Sequence, residues 1–382
     1  MIKTDTKLKR IYYILLLFTA FSTTSLYSQE LPQVRLDYSS YAITSDGKLI
    51  GYYGDKHRVE VKSTGLISKY LIYALIATED RDFYNHDGVS YKGLGRAILK
   101  TLTGSTQGGS TLTMQLARNL FLTKEQTVSR KLTEINIARE IEKKYTKDQI
   151  LLLYLNTVYF GHGAYGIWAA AQEYFCKTPD KLTITESATI AGLLQSPSGY
   201  DPSVHPEKTL ARRNEVLHNL VEVGKLSDKE FQRLRNTPLN LKLHGNFGRH
   251  FLEHVRKEAV SILNQRGISL NRDQIKITTT LNWNVQKAAE DAVNTQWNVF
   301  PASMRQAQIG LVSVESKTGR IRAMIGGSPT SESRGLNHAD EIHRQPGSSF
   351  KAFLYGSLLE KGYSLAAPIS DALITVTDSV TG

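Results

Sequence analysis

Apolar residues recur at helical spacing through the first two thirds of the chain. In the stretch ISKYLIYALIATEDRDF, Ile67, Leu71 and Leu75 lie one turn apart and mark one face of a helix. The stretch TKDQILLLYLN opens with a capping-box pattern at Thr146. These patterns predict a helical module that runs from about Ser68 to Leu263.

From about Asn271 the pattern becomes that of β-strands. QIKITTTL is rich in β-branched residues, and IGLVSVESKTGRIRAMIGG (309–327) alternates on both sides of a turn that ends at Gly319. This arrangement predicts a β-hairpin. The stretch RQPGSSFKAFLYGSLLEKG then predicts an extended approach followed by a helix. The helical module is therefore expected to be followed by the start of a module that mixes helices and strands.

Composition and charge narrow the class of protein. The chain has 382 residues, of which 41% are hydrophobic and 22% charged, as in folded proteins large enough for two domains. Its net charge of +11 is compatible with nucleic acid, an anionic membrane surface or a phosphate-bearing substrate as partner. The single cysteine, Cys176, excludes an intramolecular disulfide.

The amino terminus carries an export pattern. The basic stretch KLKR precedes IYYILLLFTAFSTTSLYS (11–28), an uncharged run of 18 residues. A basic flank before an apolar run predicts that residues 1–10 stay in the cytoplasm and that residues 11–28 form a signal-anchor or a cleaved signal peptide. We favour the retained anchor slightly. Export of the remaining chain argues against nucleic acid as a partner.

One carboxylate continues the apolar face of the first predicted helix. Glu79 lies four residues beyond Leu75, whereas Asp80 and Asp82 are expected to point elsewhere. Desolvation on an inward face raises the pKa of a carboxyl group and makes it a competent base near neutral pH. The spacing alone fits a charged helix end equally well.

A polar helix face follows a flexible loop. The stretch TGSTQGGST (103–111) is rich in glycine and hydroxyl groups, which is typical of loops that move or approach a ligand. After it, Gln115 and Arg118 continue a polar stripe, and further on Arg130 and Glu134 share a helix face. A cationic stripe of this kind suits a sugar diphosphate. It also fits a solvent-exposed surface with an ordinary ion pair.

Five sequence motifs that follow one another along the chain are more informative than residue spacing alone. They are ATEDRDFYNHDGVSYKG, GGSTLTMQLARNLFL, RKLTEINIAREIEKKYTKDQILLLYLN, VYFGHGAYGIWAAAQEYF and ATIAGLLQSPSGYDP. Together they resemble the peptidoglycan glycosyltransferase domain (glycosyltransferase family 51) of class A penicillin-binding proteins. The likeness is close from about Leu66 to Leu217 and looser beyond.

The resemblance implies a mainly α fold. It predicts a lysozyme-like helical glycosyltransferase domain at residues 50–225 and a linker region at 226–305. The incomplete start of an α/β (α+β) serine transpeptidase domain is expected at 306–382. The implied location is the cytoplasmic membrane, with the catalytic domain facing the exterior.

The resemblance also implies a reaction and its partners. Lipid II units would be joined with inversion into β-1,4-linked glycan strands, and undecaprenyl diphosphate would be released. The expected partners are lipid II, the growing glycan strand and the cytoplasmic membrane, with other cell-wall synthesis proteins as further candidates. The resemblance does not imply that a cofactor is required. Mg²⁺ or Mn²⁺ at the diphosphate is compatible with the family.

Residue roles follow from the matched motifs. Glu79 matches the family's base, and Glu134 its second essential glutamate. Position 118 is commonly lysine in relatives, and arginine there keeps the charge but changes its geometry. The residues expected to contact substrate are Asp80, Phe83, Ser110, Gln115, Arg118, Arg130, Lys131 and Tyr159.

The carboxy-terminal part resembles the opening of a penicillin-binding transpeptidase. RQPGSSFKAF contains Ser-x-x-Lys as Ser348 and Lys351, the nucleophile and base of that family. The family also uses Ser-x-Asn and Lys-Thr/Ser-Gly, and neither follows before Gly382. We therefore expect a truncated transpeptidase that is inactive in this chain.

Two other functions remain alternatives at this point. A lytic muramidase would share the lysozyme-like fold and a catalytic glutamate, but it has no diphosphate to bind with the cations. A noncatalytic envelope scaffold would retain the motifs without the reaction. Activity on labelled lipid II separates the three.

Overall fold

The computed structural model describes residues 31, 34 and 36–368, with gaps at residues 55, 92, 94–108, 123–127, 246, 271–272, 331–335 and 344. The predicted cytoplasmic tail and signal-anchor lie outside the described residues. Among the residues that are described, no helix has the length and apolar character needed to cross a membrane.

Helices predominate, which confirms the mainly α class. The strands are β1 (Ser40–Ile43), β2 (Leu49–Tyr53), β3 (Lys276–Thr278), β4 (Leu311–Val314) and β5 (Ile321–Ile325). The helices are α1 (Lys69–Glu79), α2 (Leu112–Phe121), α3 (Val128–Lys144), α4 (Lys147–Thr157), α5 (Ile167–Phe175), α6 (Ile184–Leu193), α7 (Pro206–Glu222), α8 (Asp228–Leu234), α9 (Arg249–Asn264), α10 (Trp283–Val299) and α11 (Phe350–Glu360).

The core of the helical module forms around α1 and α6. Helix α6 packs against both α1 and α7. Every residue from Glu186 to Leu193 is buried, so α6 is enclosed on all sides. On α1, Leu71 and Leu75 are buried as the apolar spacing predicts.

Helix starts follow the capping chemistry of the sequence. The side chain of Thr146 accepts a hydrogen bond from the backbone N–H of Gln149, and Gln149 returns one to the Thr146 backbone. Reciprocal bonds of this kind satisfy amide groups that the first turn of a helix leaves unpaired. The predicted capping box at Thr146 is therefore confirmed.

A small sheet joins the chain before the helical module to the chain after it. The strand order is β2-β1-β3, with β1 antiparallel to β2 and parallel to β3. Tyr41 on β1 pairs with Lys276 on β3. Because the two strands flank α1 to α9 in sequence, their pairing closes the helical module with long-range backbone hydrogen bonds.

The predicted hairpin is confirmed. Strands β4 and β5 pair antiparallel, with Val312 opposite Met324. Gly319 in the connecting turn has φ +71°, a left-handed conformation that favours glycine.

The chain divides into two compact units, residues 1–339 and 340–382. The second unit contains α11, preceded by a short 3₁₀ turn at Gly347–Ser349, so the predicted helix after the proline-containing approach is present. The limits given above for the glycosyltransferase, linker and transpeptidase regions stay predictions.

A buried amide ties the amino-terminal segment to α4. Asn156, 4% exposed, accepts a hydrogen bond from the N–H of Val61 through Oδ1 and donates one to its C=O through Nδ2, both at 2.9 Å. Asn156→Ala leaves both backbone groups of Val61 buried without partners. We expect it to lower the free energy of unfolding by about 2 to 4 kcal/mol in urea denaturation of the full chain.

Asn236→Ala is the matched control, because Asn236 is exposed and donates a single weak bond to the Gln232 carbonyl. Its effect should stay within about 0.5 kcal/mol. Equal effects of the two substitutions would contradict the role assigned to Asn156.

Candidate functional site

Glu79 is the last residue of α1, and a polar pair holds its side chain. Gln115 on α2 donates its Nε2 proton to Glu79 Oε2 at 2.9 Å. The hydroxyl of Tyr154 on α4 donates to Gln115 Oε1, also at 2.9 Å. The amide of Gln115 is therefore oriented from behind, and it can present only its NH₂ group to the carboxylate.

Burial controls the protonation of Glu79. Desolvation raises the pKa of its carboxyl group, and the hydrogen bond from Gln115 and the charges of Arg212 and Arg118 offset part of that rise. A carboxylate with a raised pKa accepts a proton more readily than a solvated one. The arrangement therefore makes Glu79 chemically suited to act as a base.

Asp80 does not point away from the interior, so that expectation is wrong. It is 6% exposed, and its Oδ2 accepts a hydrogen bond at 2.9 Å from the N–H of Leu112, the first residue of α2. The helix periodicity stops at Glu79, because Asp80 has φ −157° and turns the chain out of α1. A carboxylate at a helix amino terminus also interacts favourably with the helix dipole.

His86 completes the environment of Asp80. Its Nε2 lies 3.0 Å from both carboxylate oxygens of Asp80, and its Nδ1 accepts a hydrogen bond from the N–H of Gly88. Because Nδ1 accepts, Nε2 carries the proton that is donated to Asp80. Asp80 thus joins the end of α1, the following loop and the start of α2. Its predicted contact with substrate does not fit this enclosed position.

Glu134 lies at the centre of a second cluster. It has no exposed surface, and its Oε1 accepts a hydrogen bond from Lys131 Nζ at 2.8 Å. The same ammonium group donates to Ser110 Oγ at 2.7 Å. Burial lowers the pKa of Lys131, while the bond to Glu134 acts in the opposite direction. Spacing alone suggested a surface pair between Arg130 and Glu134, whereas the structure shows a buried Glu134 paired with the half-buried Lys131.

The two clusters belong to one electrostatic site. Arg118, in the last turn of α2, lowers the pKa of both Glu79 and Lys131 through its charge. Arg130 also acts on Lys131. The structure therefore brings the predicted base and the predicted cations together, although they come from separate sequence blocks.

Two other predicted residues differ in accessibility. Phe83 has no exposed surface and packs edge-on against Tyr84, so a direct contact with substrate does not fit its position. Tyr159 is 38% exposed, and its ring lies 4.8 Å from that of Tyr165. Its predicted contact with substrate is compatible with that exposure.

Two residues of the site were missed by sequence reasoning. Tyr154 lies within the apolar run ILLLYLN and is fully buried, so nothing in the pattern distinguishes its hydroxyl from a core aromatic group. Arg212 lies on α7, more than 130 positions after Glu79, and acts on it through charge. Neither residue follows a local spacing rule that marks it as functional.

One carboxylate oxygen of Glu134 bears on whether a divalent ion fits this site. Among the described residues, no group of three or more His, Cys, Asp or Glu side chains could hold a metal. Glu134 Oε2 is buried and has no hydrogen-bond partner in the part of the chain that the structure describes. A Mg²⁺ ion that takes most of its ligands from water and phosphate needs only one or two carboxylates, and this oxygen fits that mode. His86 and His162 are instead bonded to Asp80 and Asp201.

The glycine-rich loop and the Ser-x-x-Lys motif are two further predicted features. Residues 103–108 of the glycine-rich loop lie outside the described residues, so its role as a lid stays a prediction. In the second unit, Ser348 lies in the 3₁₀ turn and Lys351 in the first turn of α11, and both side chains are exposed.

Comparison with known proteins finds one matching family model and several similar penicillin-binding proteins. The transglycosylase family model matches residues 46–221. Penicillin-binding protein 1A of Escherichia coli K12 is 32% identical over 92% of this chain and 54% of its own length. Penicillin-binding protein 1F of Bacillus subtilis 168 is 34% identical over 86% and 48%. The chain spans about half the length of these curated relatives.

Among solved structures, penicillin-binding protein 1A from Haemophilus influenzae aligns with 91% of this chain and 56% of that chain. The sequence identity is 20% and the TM-score 0.37.

The raised pKa of Glu79 predicts a pH-dependent stability difference. A folded-state pKa above the unfolded value means that the folded protein loses stability as the pH rises through the interval between them. Glu79→Gln carries no charge and avoids this loss. We expect the variant to unfold at higher urea concentration than the unsubstituted protein at about pH 8, and the difference to shrink at about pH 4.

Glu207→Gln removes an exposed carboxylate from the first turn of α7 and serves as the control. It should show no such pH-dependent gain. The stability of Glu79→Gln relative to the unsubstituted protein is compared at the two pH values. A relative stability that is lower at about pH 8 than at about pH 4 would contradict a raised pKa for Glu79.

Proposed function

This chain belongs to the transglycosylase family of class A penicillin-binding proteins, and on that basis we propose that it polymerises lipid II into β-1,4-linked glycan strands for the cell wall. Undecaprenyl diphosphate is the second product. The observation that carries the proposal is a half-buried carboxylate, Glu79, whose pKa is raised by desolvation, beside a separate cluster of cations that contains a buried glutamate, Glu134.

The first half of the reaction concerns the acceptor. A sugar hydroxyl is a weak nucleophile, and it needs a base to take its proton as it attacks the anomeric carbon of the donor. Gln115 occupies Oε2 of Glu79, so Oε1 is the oxygen that receives the proton. Burial makes that transfer more favourable by raising the pKa of the carboxyl group.

The second half concerns the leaving group. As the new C–O bond forms, the bond from the anomeric carbon to the diphosphate breaks, and its electron pair leaves with the diphosphate. Attack from the opposite face inverts the anomeric configuration. The leaving group needs no proton, only positive charge around its oxygens, and Arg118, Arg130 and Lys131 supply it.

Glu134 acts on the cations in this proposal. Two of the three N–H donors of Lys131 go to Glu134 and Ser110, which directs the third toward the site. A Mg²⁺ or Mn²⁺ ion would be held by Glu134 Oε2 and would add further positive charge at the diphosphate. The proposal does not require this ion.

The site of action in the proposal is the outer face of the cytoplasmic membrane. The support is the apolar run at residues 11–28 after a basic flank, together with the lipid-linked substrate. The proposed partners are lipid II, the growing strand and the membrane, with other cell-wall synthesis proteins as further candidates.

Removal of the Glu79 carboxylate should strongly slow polymer synthesis. We expect Glu79→Gln to reduce the rate of polymer formation from labelled lipid II by about 10²- to 10⁴-fold, because the acceptor hydroxyl would lack its proton acceptor. Glu207→Gln is the control, and its rate should match that of the unsubstituted protein. Undiminished synthesis by the Glu79 variant would contradict its assignment as the base. Absence of synthesis by the unsubstituted protein would favour a scaffold, and cleavage of finished glycan would favour a muramidase.

Substitutions of Arg118 test how the leaving group is stabilised in the proposed reaction. Arg118→Lys keeps the positive charge and should keep most of the activity, whereas Arg118→Met should lower kcat/KM for lipid II by about 10²-fold. Steady-state kinetics on both variants measure the difference. Equal losses would show that the geometry of the guanidinium group, and not its charge, is what the reaction uses.

A further inference from the structure

A second cavity lies away from the Glu79 site, within the first compact unit. Its volume is about 750 Å³, and it is bordered by the end of α5, the segment around residues 242–250, α10 and the end of β5. This volume is in the range of cavities that bind ligands. None of the residues assigned to the proposed reaction lines it.

The lining is strongly cationic. Among the described residues that line the cavity, one is a carboxylate, Glu290, and five carry basic side chains, namely Lys48, Lys177, Lys242, Arg249 and Lys287. Glu290 is already engaged, since its Oε1 accepts hydrogen bonds from the Gly248 N–H and from Gln286 Nε2, both at 2.8 Å. The cavity therefore favours a negatively charged occupant.

Two of these lysines are available to such an occupant. Lys177 and Lys287 pair with Glu186 and Asp291. Lys242 is exposed and forms no ion pair with any residue that the structure describes. Lys48 is also exposed, and it forms an ion pair with the exposed Asp46 at 3.7 Å, a longer distance than in the other two pairs, so its ammonium group is held less tightly.

One wall of the cavity is aromatic. The rings of Phe247 and Trp283 stack with their centroids 3.8 Å apart. Lys48 Nζ lies 4.9 Å from the centroid of the Trp283 ring. Phe247 is buried and Trp283 is half-buried, so an occupant can place an apolar group against the exposed part of Trp283 while an acidic group meets Lys48.

A free backbone edge adds a third feature. The N–H groups of Lys242 and His244 donate to the carbonyls of Tyr174 and Glu173. Leu243 lies between these two bonded residues in a segment that belongs to no helix or strand. Neither the N–H nor the C=O of Leu243 forms a hydrogen bond with any described residue, and Leu243 lines the cavity.

From these three features we propose that the cavity binds a short acidic peptide in an extended conformation. Its main chain forms hydrogen bonds with the backbone groups of Leu243, an apolar side chain packs on the exposed part of Trp283, and its carboxylates meet Lys48 and Lys242. Main-chain hydrogen bonds to an extended peptide are a general mode of peptide recognition. A phosphate would use the cations alone and would leave Trp283 and the backbone groups of Leu243 without a partner in the cavity.

The test uses the full chain and a fluorescein-labelled peptide of sequence Glu-Leu-Glu-Phe-Asp-Leu, acetylated and amidated at its ends. Fluorescence anisotropy should show binding, and a counterpart with lysine at the acidic positions should not bind. A version methylated at the central backbone nitrogens should bind more weakly, because it cannot pair with Leu243. Absence of binding by the acidic peptide would overturn the proposal.

Charge reversal locates the site. The double variant Lys48→Glu/Lys242→Glu should weaken binding by about tenfold or more. The matched control is Lys229→Glu/Lys317→Glu, which reverses two exposed lysines outside the cavity and should bind as the unsubstituted protein does. Equal weakening in both variants, or displacement of the peptide by equimolar pyrophosphate, would contradict a peptide site in this cavity.

Trp283 gives an independent readout. Peptide binding should change the tryptophan fluorescence of the protein, and Trp283→Phe should remove that change while it keeps the stacked wall and the anisotropy signal. A fluorescence change that persists in Trp283→Phe would show that the peptide binds elsewhere. Lipid II takes no part in these measurements, so their outcome is independent of the proposed function.

Discussion

The hydrogen bond from the Leu112 N–H to the Asp80 carboxylate is the contact on which the arrangement of the site depends. It fixes the first turn of α2 against the residue that follows α1. Gln115 lies one turn further along α2, so this contact sets its position relative to Glu79. The bond is buried, and His86 donates to the same carboxylate. A charge-assisted bond in such surroundings is strong, and an unpaired carboxylate there would be costly.

Glu79, the proposed base, does not form a direct ion pair with the cations Arg118 and Lys131 in the described structure. A direct ion pair would lower the pKa of Glu79 and weaken it as a proton acceptor. Its hydrogen-bond partner is instead the neutral amide of Gln115, while Lys131 pairs with Glu134. Arg118 influences both groups through its charge. In the proposed reaction, proton transfer and stabilisation of the leaving diphosphate can therefore operate side by side without cancelling each other.

Much of the fold could be predicted because it follows from local rules. The apolar spacing in α1, the capping box at Thr146 and the β4–β5 hairpin all appear as expected. The pairing of β1 with β3 could not be predicted in this way, since it joins residues more than 230 positions apart. Parallel pairing depends on the packing of everything between the two strands and leaves no local sequence signal.

The sequence by itself determined which residue types were available and in what order. The five motif blocks identify Glu79 and Glu134 as the carboxylates of interest, and periodicity places Glu79 on an inward face. The tertiary structure decided their surroundings. Helix periodicity ends where the helix ends, so the burial of Asp80 was not foreseen. Tyr154 and Arg212 reach the site from distant segments, and hydrogen bonds and charge interactions depend on distance in space and not on separation along the chain.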